Sequence, residues 1–264
     1  MPSAVVEPLG RLGRLGWVDD LTLSIDVGAT STKAALITAD GLIASSIARR
    51  KTRYPLEPVG LVGTIVSLAD SIGSPERVTV GFPGLVRSGV VISPANLART
   101  AGPGTPVDDD LAALWNGFDL AGALREALGL EVRVANDADV AALACASGTG
   151  VELTVTLGSG VGTGLVVDGR LVPHLELSEL SLEGAASLDN LVGERARKDL
   201  EPTEWDRRVV AVIELLDRII RFDRCTVAGG NARRLHRDRL GRLLERVWVT
   251  VEDVGLTGGP RLYD

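Results

Sequence analysis

Two stretches of this chain repeat one pattern: a buried strand, a short turn that contains glycine, and a second strand. The first stretch runs from residue 21 to 38 and the second from 151 to 167. Strands joined by so short a turn lie antiparallel, and they leave no place for the helix that must follow the first strand of a dinucleotide-binding fold. The pattern therefore predicts two α/β units of similar architecture, although the stretches share no clear residue-level repeat.

Periodicity predicts the remaining elements of the first unit. Residues 42–50 have the composition of a third strand, residues 58–72 have the spacing of an amphipathic helix, and residues 77–82 have that of a buried strand before a glycine turn. The first unit is therefore predicted to follow the order β-β-β-α-β.

We place the boundary between the units after a linker-like stretch at 98–110, which is rich in Gly, Pro and Asp. The predicted organisation is an N-terminal extension (1–20), a small lobe (21–115) that residues 253–264 join, and a large lobe (116–252). Apolar residues make up 45% of the chain but aromatic residues only 3%, so Val, Leu, Ile and Ala must fill the cores. That composition suits sheets covered by helices on both faces.

Charge, cysteine content and hydropathy exclude several classes of protein. The net charge of -7 argues against nucleic acid as a partner. The basic stretch 233–242 is interpreted as a solvated helix face, because Leu residues and Asp238 interrupt it. Cys145 and Cys225 stand in apolar surroundings without metal-like spacing, which predicts reduced core residues. No apolar run reaches about 18 residues, the length of a membrane helix, and no signal-peptide core is present, so the sequence predicts a cytoplasmic protein.

Two glycine turns are candidates for phosphate binding. In the turn 26–33, the strand-end carboxylate of Asp26 stands beside backbone N–H groups that can cradle a phosphate, and it can hold a magnesium ion or its water shell. In 157–164, four glycines at alternate positions permit close approach of an anion to the backbone. A hairpin without a ligand is the alternative for both turns. Neither segment matches a dinucleotide fingerprint or a G-K-S/T phosphate loop.

Two further segments lie where a buried strand is predicted to meet a helix. Asn136, Asp137 and Asp139 are placed at the carboxyl edge of a sheet, although Asn is also a good helix N-cap and acids favour first turns. The segment Gly229-Gly-Asn-Ala232 would let a phosphate or a flat ring lie at a helix N-terminus, and tight packing is the alternative there.

Taken in order, these segments resemble the ROK family (repressors, open reading frames and kinases), and the resemblance runs from about residue 21 to the C-terminus. It implies a two-lobed, actin-like α/β fold of the ribonuclease H-like type. The β-β-β-α-β order is also that of the lobes of actin and hexokinase, which is an analogy of fold. The stretch 168–176, Asp-Gly-Arg-Leu-Val-Pro-His-Leu-Glu, is especially close to the polyphosphate-glucokinase-like branch.

The resemblance implies a role for each matching residue. Asp137 matches the catalytic residue, and sugar-contacting positions fall on Asn96, Asn136, Glu176 and Glu179. The phosphate- and nucleotide-binding positions fall on Asp26, Gly28, Ala29, Thr30, Thr32 and Lys33 in the first loop, Gly158, Ser159, Gly160 and Gly162 in the second, and Gly229, Gly230 and Asn231 in the adenosine segment. Asp26 would lie in the outer shell of Mg²⁺.

The sugar-binding motif departs from the family pattern. Where the family reads Glu-x-Gly-His, this chain reads Glu176-Leu-Ser178-Glu179, and a further sugar-binding Glu falls on Leu188. The zinc-binding cysteine cluster of many ROK kinases is absent from the sequence, as in the polyphosphate branch, so no structural zinc is expected. A buried hydrogen-bonding site discriminates strongly between hydroxyl patterns, so the acceptor stays open among a hexose, an amino sugar and a cyclitol.

The resemblance implies a glucokinase-like sugar kinase that transfers a phosphoryl group from ATP or polyphosphate, with Mg²⁺, to a sugar hydroxyl. Both donors use the same loops, and the resemblance also implies a homodimer. A catalytically inactive sugar or nucleotide sensor is the alternative; the missing His and second Glu favour it, whereas Asp137 and both phosphate loops oppose it. A transcriptional repressor is disfavoured, because the residues before 21 are too few for a helix-turn-helix domain.

Overall fold

The structure, a computed structural model, describes residues 20–264 except 74, 183 and 185. The predicted N-terminal extension at 1–20 therefore lies outside the described residues, apart from Asp20. The described strands are β1 Thr22–Val27, β2 Ser31–Ile37, β3 Ala48–Lys51, β4 Arg77–Phe82, β5 Leu85–Arg87, β6 Val90–Ser93, β7 Glu131–Asn136, β8 Val151–Leu157, β9 Val161–Val167, β10 Arg170–Leu171, β11 Arg224–Ala228 and β12 Val247–Val249. The described α-helices are α1 Pro58–Ile72, α2 Asp109–Trp115, α3 Leu120–Leu128, α4 Asp137–Cys145, α5 Leu188–Val192, α6 Glu194–Asp199, α7 Pro202–Ile220 and α8 Val254–Thr257.

The two predicted strand–turn–strand stretches each open a five-stranded sheet of the same design. The first sheet has the order β3-β2-β1-β4-β7 and the second the order β10-β9-β8-β11-β12. In both, three antiparallel strands are followed by two strands that pair in parallel. The repeated architecture that the sequence predicts is therefore present.

The first sheet buries one face against α1 and α3. Alternate residues of β1, namely Leu23, Ile25 and Val27, enter this core because successive side chains of a strand point to opposite faces. Helix α1 contributes Leu61 and Ile65 from one of its faces. The second sheet is covered in the same way by α7, whose Trp205, Val209, Ile213 and Leu216 repeat at helical spacing and are buried.

The boundary between the units lies later in the chain than the sequence indicates. The sequence places it at residue 115, but α3 and β7 complete the first unit: β7 pairs in parallel with β4, and Leu124 and Val132 are buried in the first core. Spacing along the chain cannot reveal this because the pairing of β4 with β7 joins strands about fifty residues apart.

The last residues of the chain pack between the two units. Helix α8 and the 3₁₀ turn Gly259–Tyr263 lie against β1 of the first sheet and against α4. A Cβ at Gly258 would lie 1.9 Å from the carbonyl oxygen of Val140, and one at Gly259 would lie 2.0 Å from Ser24 Oγ, so glycine is required for this approach. No helix in the described part of the chain has the length and apolar character needed to cross a bilayer.

Candidate active site

A cleft of about 620 Å³ lies between the two sheets, and it brings together most of the residues that the sequence singles out. The predicted residues that line it are Asp26, Gly28, Ala29, Lys33, Asn96, Asn136, Asp137, Gly158, Ser159, Gly160, Gly162, Glu176, Glu179, Gly229 and Gly230. They come from both units, because the turns after β1, β7, β8 and β11 all open toward the same gap.

Three predicted phosphate- or nucleotide-binding residues do not line the cleft. Thr30 is exposed, and Thr32 is buried inside β2 opposite Val27. The side-chain amide of Asn231 donates to the carbonyl oxygen of Gly158 at 3.0 Å and to Glu194 Oε2 at 2.8 Å. Asn231 therefore fastens the second glycine turn to α6 in this structure.

The first turn is held by a tight hydrogen bond and by a lysine. The N–H of Gly28 donates to the carbonyl oxygen of Ser31 at 3.1 Å, and a Cβ at Gly28 would lie 2.8 Å from that oxygen. Lys33 Nζ lies 2.8 Å from Asp253 Oδ1 and 3.7 Å from Asp26 Oδ2. Asp253 follows Lys33 by 220 residues, so no local sequence signal could have found this cleft residue.

The carboxyl group of Asp26 is largely desolvated. Burial raises its pKa, and the nearby ammonium of Lys33 only partly opposes that effect. A divalent cation carried by phosphates would relieve this cost, so the position suits a carboxylate that faces a hydrated magnesium ion.

Asp137 is the first residue of α4, and it faces the cleft. The preceding residue, Asn136, is the N-cap: its Oδ1 accepts from the N–H of Ala138 at 2.8 Å, and its amide donates to the carbonyl oxygen of Gly84 at 3.0 Å. Asp137 Oδ1 also accepts from the N–H of Ala138 at 2.8 Å. Asn136 thus satisfies the helix end, and Asp137 lines the cleft together with residues of both glycine turns.

The environment of Asp137 brings the pKa of its carboxyl group close to neutral pH. Burial raises the pKa of its carboxyl to about 7, the negative charge of Asp26 adds to this effect, and the Ala138 N–H and His174 oppose it. A general base is most effective when its pKa lies near the working pH, so a carboxylate in this state can accept a proton from a hydroxyl group.

The glycines of the second turn have two different structural roles. A Cβ at Gly158 would meet no atom within 4 Å, so the backbone there is open to the cleft. A Cβ at Gly164 would lie 2.4 Å from the carbonyl oxygen of Ala138, and one at Gly162 would lie 2.8 Å from Ala138 Cβ. Gly162 and Gly164 therefore allow α4 to pack directly on β9, and Gly162 also lines the cleft.

Sequence reasoning did not identify Asp189, which supports this turn. Its Oδ1 accepts from the N–H of Val161 at 2.5 Å, and a Cβ at Gly160 would lie 2.7 Å from its Oδ2. Leu188, where the resemblance predicts a second sugar-binding Glu, is fully buried in the second core. The next residue along α5, Asp189, is one of the acids that line the cleft.

A buried histidine links two carboxylates at the same end of the cleft. His174 is only 5% exposed; its Nδ1 lies 3.0 Å from Asp139 Oδ1 and its Nε2 lies 3.4 Å from Glu176 Oε2. Burial works to lower the pKa of His174, but the hydrogen bonds to Asp139 and Glu176 outweigh it and raise the pKa to about 9. The ring is therefore an imidazolium that holds Glu176 in place at neutral pH.

Ser178 and Glu179 stand where the resemblance to the family predicts Gly and His. Ser178 is buried, and its hydroxyl donates to Glu176 Oε1 at 2.5 Å. His174 and Ser178 lower the pKa of Glu176, although burial opposes them, so this carboxylate is ionised. Glu179 is exposed and lines the cleft. The sequence signal for this arrangement was slight: His174 is one of two histidines in the chain and lies two residues before Glu176.

The adenosine segment differs locally from its prediction. Gly229 has a φ of 90°, and a Cβ there would lie 2.6 Å from the carbonyl oxygen of Leu157. A helix was expected to begin after it, but the chain forms only a 3₁₀ turn at Ala232–Arg234, because Leu235 adopts an extended conformation and packs into the second core. A Cβ at Gly230 would meet no atom within 4 Å, and this glycine faces the cleft.

The residues of the cleft fit a magnesium ion held mainly by a substrate. In the described ranges, no group of three or more His, Cys, Asp or Glu side chains is arranged to hold a metal. Mg²⁺ commonly keeps several waters and binds through one or two carboxylates plus substrate phosphates. Asp26, which lines the cleft beside the first glycine turn, is a carboxylate of this kind.

Comparison with known proteins identifies the family. The profile of the ROK family matches residues 22–173, which is more than half of the chain. The chain belongs to the ROK family. The resemblance predicted from the sequence is thus confirmed.

Two related proteins of known activity are sugar kinases. The chain is 26% identical over 221 residues to the polyphosphate glucokinase of Mycobacterium tuberculosis strain H37Rv, covering 80% of this chain and 77% of that protein. It is also 30% identical over 158 residues to an N-acetylmannosamine kinase of Escherichia coli O6:H1, a match that covers 58% of this chain and 49% of that kinase.

Solved ROK structures confirm the two-lobed, actin-like α/β fold. The polyphosphate/ATP-glucomannokinase of Arthrobacter sp. strain KM superposes with a TM-score of 0.76 at 25% identity, covering 92% of this chain and 97% of that one. The ROK glucokinase of Streptomyces griseus, solved with glucose and AMPPNP, superposes with a TM-score of 0.73 at 20% identity and covers 92% and 98% of the two chains. A ROK transcriptional regulator also shares the fold, with a TM-score of 0.69 at 16% identity, covering 94% of this chain and 78% of that one.

Proposed function

We propose that this chain is a sugar kinase that transfers the terminal phosphoryl group of ATP or polyphosphate to a hydroxyl of a hexose-like acceptor. The observation that carries the proposal is that Asp137 lines the same cleft as both glycine turns, near enough to Asp26 for the charge of that carboxylate to raise the pKa of Asp137. A kinase of this class needs a base beside the acceptor hydroxyl and backbone N–H groups around the phosphates. The sugar kinases among its relatives support the same reaction class.

In the proposed mechanism, the acceptor hydroxyl attacks the terminal phosphorus in line with the leaving oxygen. Asp137 accepts the hydroxyl proton as the new O–P bond forms and the bond to the leaving phosphate oxygen breaks. The open backbone at Gly158, together with the first turn, would hold the phosphates, and Gly230 would face the adenosine of ATP. Mg²⁺, when bound, neutralises charge that develops on the phosphate oxygens, and Asp26 would face its outer shell.

The acceptor would be oriented by further side chains that line the cleft. Asn136 and Asn96 supply amides, and Glu176 supplies a carboxylate that His174 and Ser178 hold in one position. Glu179 would add a carboxylate where the family motif has a histidine. We infer that hexoses, amino sugars and cyclitols are the acceptor classes to test, since these side chains can accept hydrogen bonds from hydroxyl or ammonium groups.

The test is a phosphoryl-transfer screen of the full chain that crosses ATP and polyphosphate with hexoses, amino sugars and cyclitols, read out by mass of the phosphorylated acceptor. We expect one donor–acceptor pair at least to give turnover, and Asp137→Asn to lower kcat about 10²–10⁴-fold, the usual contribution of a positioned base. Binding of a nucleotide analogue to the variant is the control for folding. Near-full activity of Asp137→Asn would contradict the assigned base.

A catalytically inactive sensor of sugars or nucleotides is the second candidate. The observation that favours it is the pair Ser178 and Glu179 in place of the Gly and His of the family motif. Saturable binding of a sugar, measured by calorimetry, without consumption of ATP or polyphosphate would support the sensor and overturn the kinase.

The homodimer implied by the family stays a prediction, and light scattering of the purified chain tests it.

A further inference from the structure

A short segment beside the first glycine turn carries four cations within five residues. Arg49, Arg50, Lys51 and Arg53, hereafter the basic strip, occupy β3 and the residues directly after it, and all four are exposed. The chain as a whole has a net charge of -7, so this cluster is a local exception. The proposed transfer reaction does not use any of the four side chains.

The register of the first sheet directs two of the four cations to the cleft face. Arg49 lies opposite Lys33, which lies opposite Asp26, so all three side chains are on the same face of the sheet. Lys51 is two residues from Arg49 and therefore shares that face. Arg50 lies on the other face.

Packing on either side of the strip agrees with this register. Ile47 packs with Ala35, Ile37 and Leu256 on the cleft face of the sheet. Ala48 packs instead against the first core, which lies under α1. The positive charge of Arg49 also lowers the pKa of Asp26, in opposition to the larger effect of burial, which is consistent with its position close to the cleft.

The end of the strip is fastened to the first glycine turn. The N–H of Thr52 donates to the carbonyl oxygen of Thr30 at 3.0 Å, and its hydroxyl donates to that of Gly28 at 2.8 Å. The hydroxyl of Tyr54 donates to the carbonyl oxygen of Ala29 at 2.8 Å. The cations are thus held at a fixed place next to the turn that is proposed to bind phosphate.

The cations on the cleft face have no fixed partner within the protein. Among residues 20–264, with 74, 183 and 185 set aside, no carboxylate forms an ion pair with Arg49 or Lys51. Lys33, in contrast, is paired with Asp253. Exposed, unpaired cations at alternate strand positions present a row of positive charge about 7 Å apart, which is suited to a linear polyanion.

We propose that Arg49 and Lys51 bind internal phosphates of a linear inorganic polyphosphate whose terminal phosphoryl group lies at the first glycine turn. This inference rests on the proposed phosphoryl transfer, and it gives a structural basis for polyphosphate as the phosphoryl donor. A nucleoside triphosphate has three phosphates, and its adenosine is expected at Gly229 and Gly230 in the other lobe, so it would not extend along β3. A polyphosphate chain continues beyond the cleft and would follow the row of cations.

Direct binding gives the first test. Anisotropy of an end-labelled polyphosphate would be measured with the wild-type chain, Arg49→Gln, Lys51→Gln and the double variant. The matched control is Arg50→Gln, which removes the same charge from the opposite face of the same strand. We expect the double variant to weaken binding about fivefold to tenfold, since an exposed ion pair contributes a factor of a few, and Arg50→Gln to weaken it less than twofold. The slope of log affinity against log salt should fall by about one for each cation lost.

Transfer kinetics give the second test, with any acceptor that turns over in the screen. For the double variant we expect the ratio of kcat/KM for polyphosphate to that for ATP to fall about fivefold to tenfold, with a larger loss for long polyphosphate than for tripolyphosphate. Thermal melting of each variant checks that it is folded. An unchanged ratio, or equal losses in Arg50→Gln and Arg49→Gln, would overturn the assignment.

Other outcomes separate this inference from the proposed function. An oligodeoxynucleotide of equal charge that competes as well as unlabelled polyphosphate would overturn the site, because the strip would then bind any polyanion. If ATP supports transfer but labelled polyphosphate does not bind, the polyphosphate site is wrong and the kinase stands. If no donor–acceptor pair gives transfer, the kinase fails, and the anisotropy of the variants still decides the polyphosphate site.

Discussion

At the scale of single residues, the cleft depends on carboxylates whose charge states differ. Burial and the charge of Asp26 raise the pKa of Asp137 to about 7, whereas His174 and Ser178, against the effect of burial, lower that of Glu176. One carboxylate is therefore poised to take up a proton while the other stays ionised. Pairs of acids whose environments separate their pKa values are typical of sites that carry out proton transfer.

The first prediction concerns the pH dependence of Asp137. If Asp137 is the base, kcat/KM should rise as the pH increases through about 7 and level off above it, because the deprotonated form accepts the proton. Steady-state rates with a saturating donor between pH 5.5 and 9 measure the profile. A profile that falls through this range would contradict the role.

The same shift predicts an effect on stability. Because the folded pKa of Asp137 is above its unfolded value, the folded state binds the proton more tightly, and the contribution to stability is lost as pH rises through about 4 to 7. Asp137→Asn, which keeps the acceptor of the Ala138 N–H, should therefore be more stable than wild type by roughly 1–3 kcal/mol at pH 8. The difference in melting temperature should shrink toward pH 4, and an equal difference at both pH values would exclude this origin.

A further prediction concerns His174 as a positioning residue. Leucine at this position leaves Asp139 buried without a partner, so His174→Leu should cost about 3 kcal/mol of stability at pH 6. Since the folded pKa of His174 is raised to about 9, the loss should be full below pH 6.5 and should diminish as pH rises through about 9. Chemical denaturation at pH 6 and pH 9.5 measures it.

A purely structural role for His174 would not alter acceptor binding selectively. We expect the acceptor KM of His174→Leu to rise more than kcat falls, because Glu176 loses one of its two anchors. Adding Asp139→Asn should restore much of the stability but not the KM. Recovery of both, or an unchanged KM, would contradict the positioning role.

At the scale of elements, α4 is the piece that places the base, and glycines hold it from several sides. Gly164 of β9 approaches the carbonyl oxygen of Ala138, Gly258 approaches that of Val140, and Gly81 of β4 lies against Asp137, where a Cβ would be 3.3 Å from the Cα. A helix held by backbone contacts has little freedom to shift. The position of Asp137 is therefore set by close packing more than by its own side-chain hydrogen bond.

Gly164→Ala tests this packing. The new Cβ would lie 2.4 Å from a backbone oxygen, so the helix must move. We expect a loss of about 1–3 kcal/mol in stability. We also expect kcat to fall by up to about 10²-fold, since a shift of about 1 Å can cost that much. Gly63→Ala is the control: this exposed glycine of α1 has no neighbour within 4 Å of its Cβ position, and alanine there should add about 0.5–1 kcal/mol.

At the scale of the whole molecule, the cleft contains more negative than positive side chains. The acids that line it are Asp26, Asp137, Glu176, Glu179, Asp189, Glu252 and Asp253, whereas Lys33, Arg233 and the imidazolium of His174 supply positive charge. A phosphate donor would meet repulsion there without a counter-ion. A cation that accompanies the phosphates is the simplest way to offset it.

This charge distribution predicts that donor binding depends on magnesium. A non-hydrolysable ATP analogue with Mg²⁺, at about 100 times its Kd, should raise the free energy of unfolding by about 2.7 kcal/mol. Removal of the metal with EDTA should abolish most of that gain, because the analogue then faces Asp26 and Asp137 unshielded. Differential scanning calorimetry measures both, and an equal gain with and without the metal would contradict the prediction.

The local elements of this protein, and the residue types that meet in the cleft, follow from the order of its amino acids. Alternation in β1 and the 3.6-residue repeat of α7 predict a strand and a helix, because each depends only on neighbours along the chain. The ordered glycine turns and Asn136-Asp137 were sufficient to predict the ROK family and its fold. The sequence predicted the positions of individual site residues less accurately, since Thr30, Thr32 and Asn231 do not line the cleft.

Tertiary packing determines which residues, distant along the chain, support the site. Because β4 pairs with β7, the first unit ends later in the chain than the sequence predicts. The position of α8 places Asp253 beside Lys33, 220 residues away along the chain. His174, in the loop after β10, contacts Asp139 of α4 at the place where α4 packs on β9, and Gly164 permits that packing. Such contacts join segments whose separation along the chain is arbitrary, so neither periodicity nor local composition contains them. Only strand pairing and the packing of helices and sheets in three dimensions bring them into contact.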